Sequence, residues 1–314
     1  MTIKQIKEWV KDYKNIYITG HVHPDGDCIG AALGLKGLLA DHGIEATIML
    51  ETPPEVYSFL SHYDEIITEN PAEVDVLFVV DCNDKSRFTP FLESYEKAKV
   101  VINIDHHEYP KYFITENRWI KPSASSTSEM IYDLFEGKEI RPEIAEALYT
   151  GIIFDTGGFM HSNTHESTMQ AAGKLMATGI NFGFIMKRLF HRQTVKKLMA
   201  KKIALDNLIF LGKEKIALTH ISYQELKKYD LSKEDTEDVV HLVAQLEDIE
   251  SAVFIAEFTE GEYKLSFRSK RNLDVCQVAK AFHGGGHIKA AGASSTLPLP
   301  ELIKKIEKEI MERL

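Results

Sequence analysis

Apolar positions follow two rhythms along the chain. Over residues 2–13, Ile3, Ile6, Trp9, Val10 and Tyr13 recur at helical spacing and predict an amphipathic opening helix. The next run, Ile16-Tyr17-Ile18, is short, β-branched and aromatic, and predicts a buried strand that ends at Gly20. It delivers HVHPDGDCIGAALGLKGLL, a loop followed by a helix of small residues. Further strands are predicted at 46–50, 76–80 and 100–104, with a short helix over 54–60. Near-continuous apolar strands alternating with helices predict a mostly parallel sheet covered on both faces. Helices follow over 128–135, 143–154 and 167–178, then a basic helical stretch over 181–203.

Beyond residue 204 the pattern mixes strands (215–222, 253–258, 263–269) with helices (232–246, 275–282) and closes in an amphipathic helix over 300–314. The predicted class is α/β. A mostly parallel, helix-covered domain spans 1–190, a connecting helix or linker 191–203, and a smaller mixed α/β domain 204–314. The expected active site lies in the cleft between the two domains. No stretch of about 18 apolar residues is present, and the opening residues lack an apolar leader core. The chain is therefore read as soluble and cytoplasmic, with no membrane partner.

Charge narrows the partners. Lys plus Arg number 37 against 47 Asp plus Glu, a formal charge of −10, so no general basic surface would hold long nucleic acid. A local pocket for a short anion, or an acidic cluster for a cation, remains compatible with this balance. Cys28, Cys82 and Cys276 are far apart, which argues against a disulfide framework or a zinc ribbon. Cys28 and Cys82 adjoin candidate ligands but are expected to be small packing residues.

Four candidate clusters each sit at the end of an apolar element: His21-x-x-x-Asp25-x-Asp27, Asp81, Asp105-His106-His107, and Asp155-Thr156-Gly157. Singly, each reads as well as a turn or a helix cap. Together they make a donor set of aspartates and histidines without thiolate. Such donors suit Mn²⁺ or Mg²⁺, admit Fe²⁺ or Zn²⁺, and disfavour iron–sulfur or Cu(I). Six or seven ligands exceed what one ion with an open position needs, whereas two ions bridged by a carboxylate would use them all. In the second half, Ser266–Lys270 (SFRSK) and His283–Gly292 (HGGGHIKAAG) combine an arginine with a glycine run. That combination reads as an anion site.

The motif Asp105-His106-His107, the other three clusters in their order, and FRSK…FHGGGHIKAAGA together resemble the DHH phosphoesterase superfamily with its DHH-associated domain. The likeness runs from about residue 3 to the end and is greatest to the NrnA-type oligoribonucleases and pAp phosphatases. The resemblance implies that His21, Asp25 and Asp81 hold one Mn²⁺ and that Asp27, Asp81, His106 and Asp155 hold a second, with Asp81 bridging. It places His107 at the scissile phosphate, with Asp105 and Asp81 also in the catalytic set. Arg268, Ser269, Gly284, Gly285, Gly286 and His287 would bind substrate. The implied reactions are release of mononucleotides from very short 5′-phosphorylated RNA and removal of the 3′-phosphate of adenosine 3′,5′-bisphosphate. Water activated by two ions would serve both.

Met160-His161 stands where many relatives carry an arginine, and His161 or His165 is a candidate replacement. His23 stands where an asparagine is more usual. Ser125, Ser126 and Thr127 are expected near the site, chiefly as helix caps. The same resemblance admits a phosphodiesterase of cyclic di-AMP or its linear form. A regulator that binds nucleotide without catalysis would be expected to lack ligands, and none is missing here. The glycine run argues against a manganese pyrophosphatase, and the length against a RecJ-type exonuclease. Oligomeric state is left open, a homodimer included.

Overall fold

The apolar runs of the first half pair side by side in a computed structural model that describes residues 1–191 and 193–314. The strands are β1 (Ile16–Thr19), β2 (Thr47–Ile48), β3 (Val76–Val80), β4 (Val100–Asp105) and β5 (Arg118–Ile120). They form one sheet in the order β2-β1-β3-β4-β5, with every pair parallel. All five residues of β3 are buried, and successive side chains serve opposite cores. Val76, Phe78 and Val80 join Ile18, Ile102 and Ile104 on one face, while Leu77 and Val79 join Phe88 and Phe91 on the other. That two-sided burial is why these strands read as unbroken apolar runs rather than alternating ones. Each large aliphatic so buried contributes about 1.5–3 kcal/mol.

The first face is covered by helices α1 (Ile3–Val10), α2 (Gly26–Ala40), α4 (Thr127–Asp133), α5 (Pro142–Asp155), α6 (Glu166–Met176) and α7 (Phe182–Phe190); the short α3 (Leu92–Lys97) precedes β4. α2 and α5 run antiparallel in close contact. A Cβ at Gly30 would stand 2.5 Å from the Ala147 carbonyl oxygen, and one at Gly26 would stand 2.6 Å from Phe154. Small residues on α2 thus let its N-terminus meet the C-terminus of α5.

Contacts divide the chain into two units, Met1–Arg192 and Gln193–Leu314. The second contains α8 (Val195–Asp206), β6 (Ile209–Leu211), β7 (Ile216–Ile221), α9 (Tyr223–Lys228), α10 (Lys233–Thr236), α11 (Val239–Ala244), β8 (Ser251–Thr259) and β9 (Glu262–Ser269). α12 (Val275–Lys280), β10 (Gly285–Gly286), β11 (Ala290–Ser295) and α13 (Leu299–Met311) complete it. Its sheet, ordered β10-β11-β9-β8-β7-β6, is antiparallel except for the parallel pair β7–β8. The expected parallel, helix-covered sheet holds for the first unit and the expected mixed α/β class for the second. No helix among the described residues is long and apolar enough to cross a membrane.

Several elements differ from expectation. The helix over 54–60 is only a 3-10 turn at Glu55–Tyr57, opened by Pro54 in an extended conformation. The helical stretch 181–203 divides into α7 and α8, with Thr194 capping the second through the Lys197 amide at 3.1 Å. Arg192 lies outside the described residues. The helix over 232–246 is interrupted at Glu237 and Asp238, where the Asp238 carboxylate is drawn toward Lys197 and Lys201 of α8, at 3.6 and 3.7 Å. β11, built from AAGASS, was not expected because it has none of the β-branched or aromatic residues that mark strands.

Candidate functional site

Parallel strands all deliver their carboxyl ends to one edge of the sheet, where open α/β sheets place ligands. His21 follows β1, Asp81 follows β3, and Asp105 ends β4 just before His106 and His107. The other contributors come from helix ends. Asp25 is the N-cap of α2, accepting hydrogen bonds from the amides of Asp27 and Cys28 at 3.0 and 3.1 Å. Asp27 lies in the first turn of α2, and Asp155 is the last residue of α5.

These side chains converge on Asp81, which is buried and held at φ 55°, a left-handed conformation that costs a non-glycine residue about 1–3 kcal/mol. Its two oxygens face different histidines. Oδ2 is 3.4 Å from His21 Nε2, and Oδ1 is 3.6 Å from His106 Nε2. His21 Nε2 is also 3.7 Å from Asp25, and His106 Nε2 is 3.1 Å from Asp155 and 3.9 Å from Asp27. His107 Nδ1 donates to Asp105 Oδ1 at 2.7 Å and stands 3.7 Å from Asp81. The ligating atoms of Asp81, His106 and His107 lie within 4.8 Å of one another. So do those of Asp27, His106 and Asp155, and those of His21, Cys28 and Asp81.

The electrostatics show that the cluster suits cations. Burial and the neighbouring Asp27 raise the Asp81 carboxyl well above its ordinary range. Burial and then Asp27 and Asp25 raise Asp155 to about 8. Burial alone would lower His21, yet the carboxylates of Asp25 and Asp81 beside it carry it to about 10; His107 rises to about 9 through Asp105. Among the described residues, no lysine or arginine pairs with Asp25, Asp27, Asp81 or Asp155. The charged side chains paired with these carboxylates are therefore imidazoles, and Asp105 Oδ2 is buried with no hydrogen-bond partner. Oxygen and imidazole donors packed this way fit divalent cations.

Sequence reasoning expected Ser125, Ser126 and Thr127 near the site, but not the contacts by which the start of α4 holds the ligands. The amides of Thr127 and Ser128, at the start of α4, donate to Asp27 at 2.6 and 2.9 Å, so the positive end of that helix faces its carboxylate. Thr127 Oγ1 donates to Asp81 Oδ1 at 3.1 Å. Ser126 caps α4, as the cap expectation had it, while Glu129 accepts from the Ser125 amide at 3.0 Å and from Thr168 Oγ1 at 2.9 Å. Gly151 leaves the space: a Cβ there would be 2.0 Å from Ser128 Oγ and 2.8 Å from Asp27 Oδ1. For Ser128 and Glu129 the local hint was the Ser126-x-x-Glu129 spacing, which reads as an ordinary helix start.

The remaining candidates are placed as follows. Cys28 and Cys82 are buried, and burial raises both thiols. His161 Nδ1 is 3.1 Å from the Asp155 carbonyl oxygen, and its ring covers Gly157 so closely that a Cβ there would be 2.4 Å from Nε2. His165 instead caps α6. His23 is exposed beside Glu51.

In the second unit, neighbouring strands bring the predicted anion residues together. Arg268 on β9 pairs with Ala290 on β11, and Gly286 on β10 pairs with Ala291. The glycines are required by close approach. A Cβ at Gly284 would be 2.2 Å from the Gly292 oxygen, and one at Gly286, where φ is 144°, would be 2.6 Å from the Ala290 oxygen. Gly285, Gly286 and His287 are exposed. Ser269 Oγ is buried and has no hydrogen-bond partner.

Residues 15–152 match the DHH family, N-terminal domain, and residues 218–312 match the DHHA1 domain. The chain belongs to the DHH phosphoesterase family. It is 32% identical over 292 residues to the bifunctional oligoribonuclease and PAP phosphatase NrnA of Bacillus subtilis, covering 90% of each chain. It is also 27% identical to the cyclic-di-AMP phosphodiesterase GdpP of the same organism, over 98% of this chain and 49% of that one. Among solved structures, an exopolyphosphatase-related protein from Bacteroides fragilis superposes with a TM-score of 0.83 at 25% identity, covering 99% of this chain and 95% of that one.

Proposed function

We propose that the chain hydrolyses very short 5′-phosphorylated oligoribonucleotides to mononucleotides and removes the 3′-phosphate of adenosine 3′,5′-bisphosphate, using two divalent ions, Mn²⁺ foremost. The observation that carries this reading is Asp81, whose two oxygens face two different histidines, each with its own further carboxylates. His21, Asp25 and Asp81 would hold one ion, and Asp27, Asp81, His106 and Asp155 the other. Ions held there would lower the pKa of water and offset charge on the phosphoryl oxygens.

The chain's own residues do the rest. Asp105 fixes the His107 ring through Nδ1, which leaves Nε2 to meet a phosphoryl oxygen or a proton in transit. Thr127 and the first amides of α4 keep Asp81 and Asp27 oriented before and after turnover. Arg268 would grip a substrate phosphate with its guanidinium, helped by Ser269 and the Gly284–His287 loop. What favours Ser269 in this role is its buried, unpartnered hydroxyl.

A second reading, hydrolysis of cyclic di-AMP or its linear form, draws on the likeness to GdpP and needs no change in the metal ligands. A hydrolysis panel with Mn²⁺ decides between them. It should contain 5′-phosphorylated RNA of about two to five and about 24 nucleotides, the bisphosphate, cyclic and linear di-adenylate, and pyrophosphate. Mononucleotides from the shortest RNAs together with phosphate from the bisphosphate are expected. Turnover confined to the di-adenylates would replace the first reading with the second, and silence with metal bound would overturn both.

A further inference from the structure

The loop that leaves the candidate metal centre carries three aromatic rings facing solvent. Tyr109 is 64% exposed, Tyr112 76% and Phe113 39%, within five residues. A phenolic or phenyl ring that finds no core gives up a large apolar burial, so three together need a reason. The loop is fastened at both ends. Asn83, two residues past Asp81, donates from Nδ2 to the Glu108 carbonyl at 3.0 Å, and the Tyr95 hydroxyl donates to the Ile114 carbonyl at 2.6 Å.

The rings are also braced from within. The Arg118 guanidinium stacks 3.8 Å from the Phe113 centroid and is itself held by the Thr115 carbonyl at 3.1 Å and by Glu116 at 2.8 Å. Tyr109 meets Phe113 edge-on at 6.4 Å. Lys111 Nζ lies 5.4 Å from the Tyr112 ring. Over residues 108–118, Lys111 and Arg118 balance Glu108 and Glu116, so these rings sit on a neutral stretch of a chain of net charge −10. Tyr109 follows His107 by two residues, so their Cα atoms are at most about 7 Å apart.

We propose that Tyr109 and Tyr112 form a stacking platform for a nucleobase of the substrate, with Lys111 and Arg118 favouring its phosphodiester backbone. Aromatic rings interleaved with cations are how proteins hold single-stranded nucleic acid without reading its sequence, because every base has a π-face. Recognition there would be by stacking and would tolerate any base. The inference rests on the reading of the chain as a hydrolase of short oligonucleotides.

The test compares a 5′-phosphorylated di-adenylate with the same molecule lacking one base. Wild-type protein should favour the base-bearing form in kcat/KM, and Tyr109→Ala or Tyr112→Ala should lower kcat/KM for that form by about tenfold. Both variants should leave the abasic form unaffected. Tyr112→Phe should keep the wild-type preference, since the ring and not the hydroxyl is at work. Alanine variants that retain the full preference would overturn the platform. Binding supplies an independent arm: wild-type protein should quench a dinucleotide containing 2-aminopurine, and the alanine variants should not. If wild-type protein quenches but hydrolyses no oligonucleotide, the platform stands and the proposed reaction falls; if it does not quench, the platform falls.

Discussion

The two candidate sites of this protein are built in opposite ways. The cluster of the first unit is buried or half-buried, its ligands come from strand ends and helix ends far apart in sequence, and Asp27 and Asp81 are held by further hydrogen bonds from the start of α4. The segment of the second unit is a surface glycine turn beside one arginine, shaped by the close approach of neighbouring strands. Concentrating charge without water needs a rigid frame to keep carboxylates from relaxing apart. Gripping a hydrated phosphate needs accessible amides and a cation. On the proposed reading, the fixed chemistry belongs to the first unit and the grip on a substrate phosphate to the second.

Exchange of Asp81→Ala should break this contrast most sharply. It removes the carboxylate that faces both histidines, and all measurable phosphoesterase turnover with Mn²⁺ should vanish; substantial remaining activity would refute a shared ligand. Gly151→Ala should act next most strongly although it touches no substrate. Its Cβ would crowd Ser128 and Asp27, and metal affinity measured by calorimetry should fall by about 10–100-fold, the usual cost of disturbing a group that orients a ligand.

Arg268→Ala should do the reverse of Asp81→Ala. A charged hydrogen bond contributes about 1.5–3 kcal/mol, so KM should rise by roughly ten- to a hundredfold while kcat stays close to wild type. An unchanged KM would remove Arg268 from the substrate site.

The smallest effect is on stability. In protein stripped of metal, the folded Asp155 carboxyl titrates near 8 and the unfolded one near 3.8. The folded state therefore binds the extra proton between those values. Its stabilisation is complete below about pH 4 and is lost as pH rises through about 8. His21, raised from 6.5 to about 10, adds a loss in the same direction at higher pH. Thermal melting in chelator should fall from pH 5 to pH 9, and Asp155→Asn should flatten that fall. Mn²⁺ at about a hundred times its dissociation constant should restore roughly 5–10 °C. A melting temperature indifferent to both pH and metal would argue that the cluster is not a cation site.

How far the sequence carried this picture differs between the sites. The parallel sheet was legible because strands buried on both faces must be apolar throughout, as β3 and β4 are. The candidate ligands were legible because polar residues at the ends of such strands have little packing reason to be there. The mixed second unit was legible in class but not in detail. β11 is made of small residues that only its neighbours β9 and β10 turn into a strand.

By itself, then, the sequence determined the α/β class, the donor chemistry of aspartates and histidines, and the pairing of an arginine with a glycine run. Those follow from local periodicity and residue type. Only the tertiary structure decided that Asp81 divides its two oxygens between His21 and His106, and that the start of α4 holds Asp27. It alone showed that Gly151 keeps the space open and that Tyr109, Tyr112 and Phe113 stay in solvent. Each of these is a distance between residues tens of positions apart, or an exposure set by everything packed around a side chain. No local pattern encodes either.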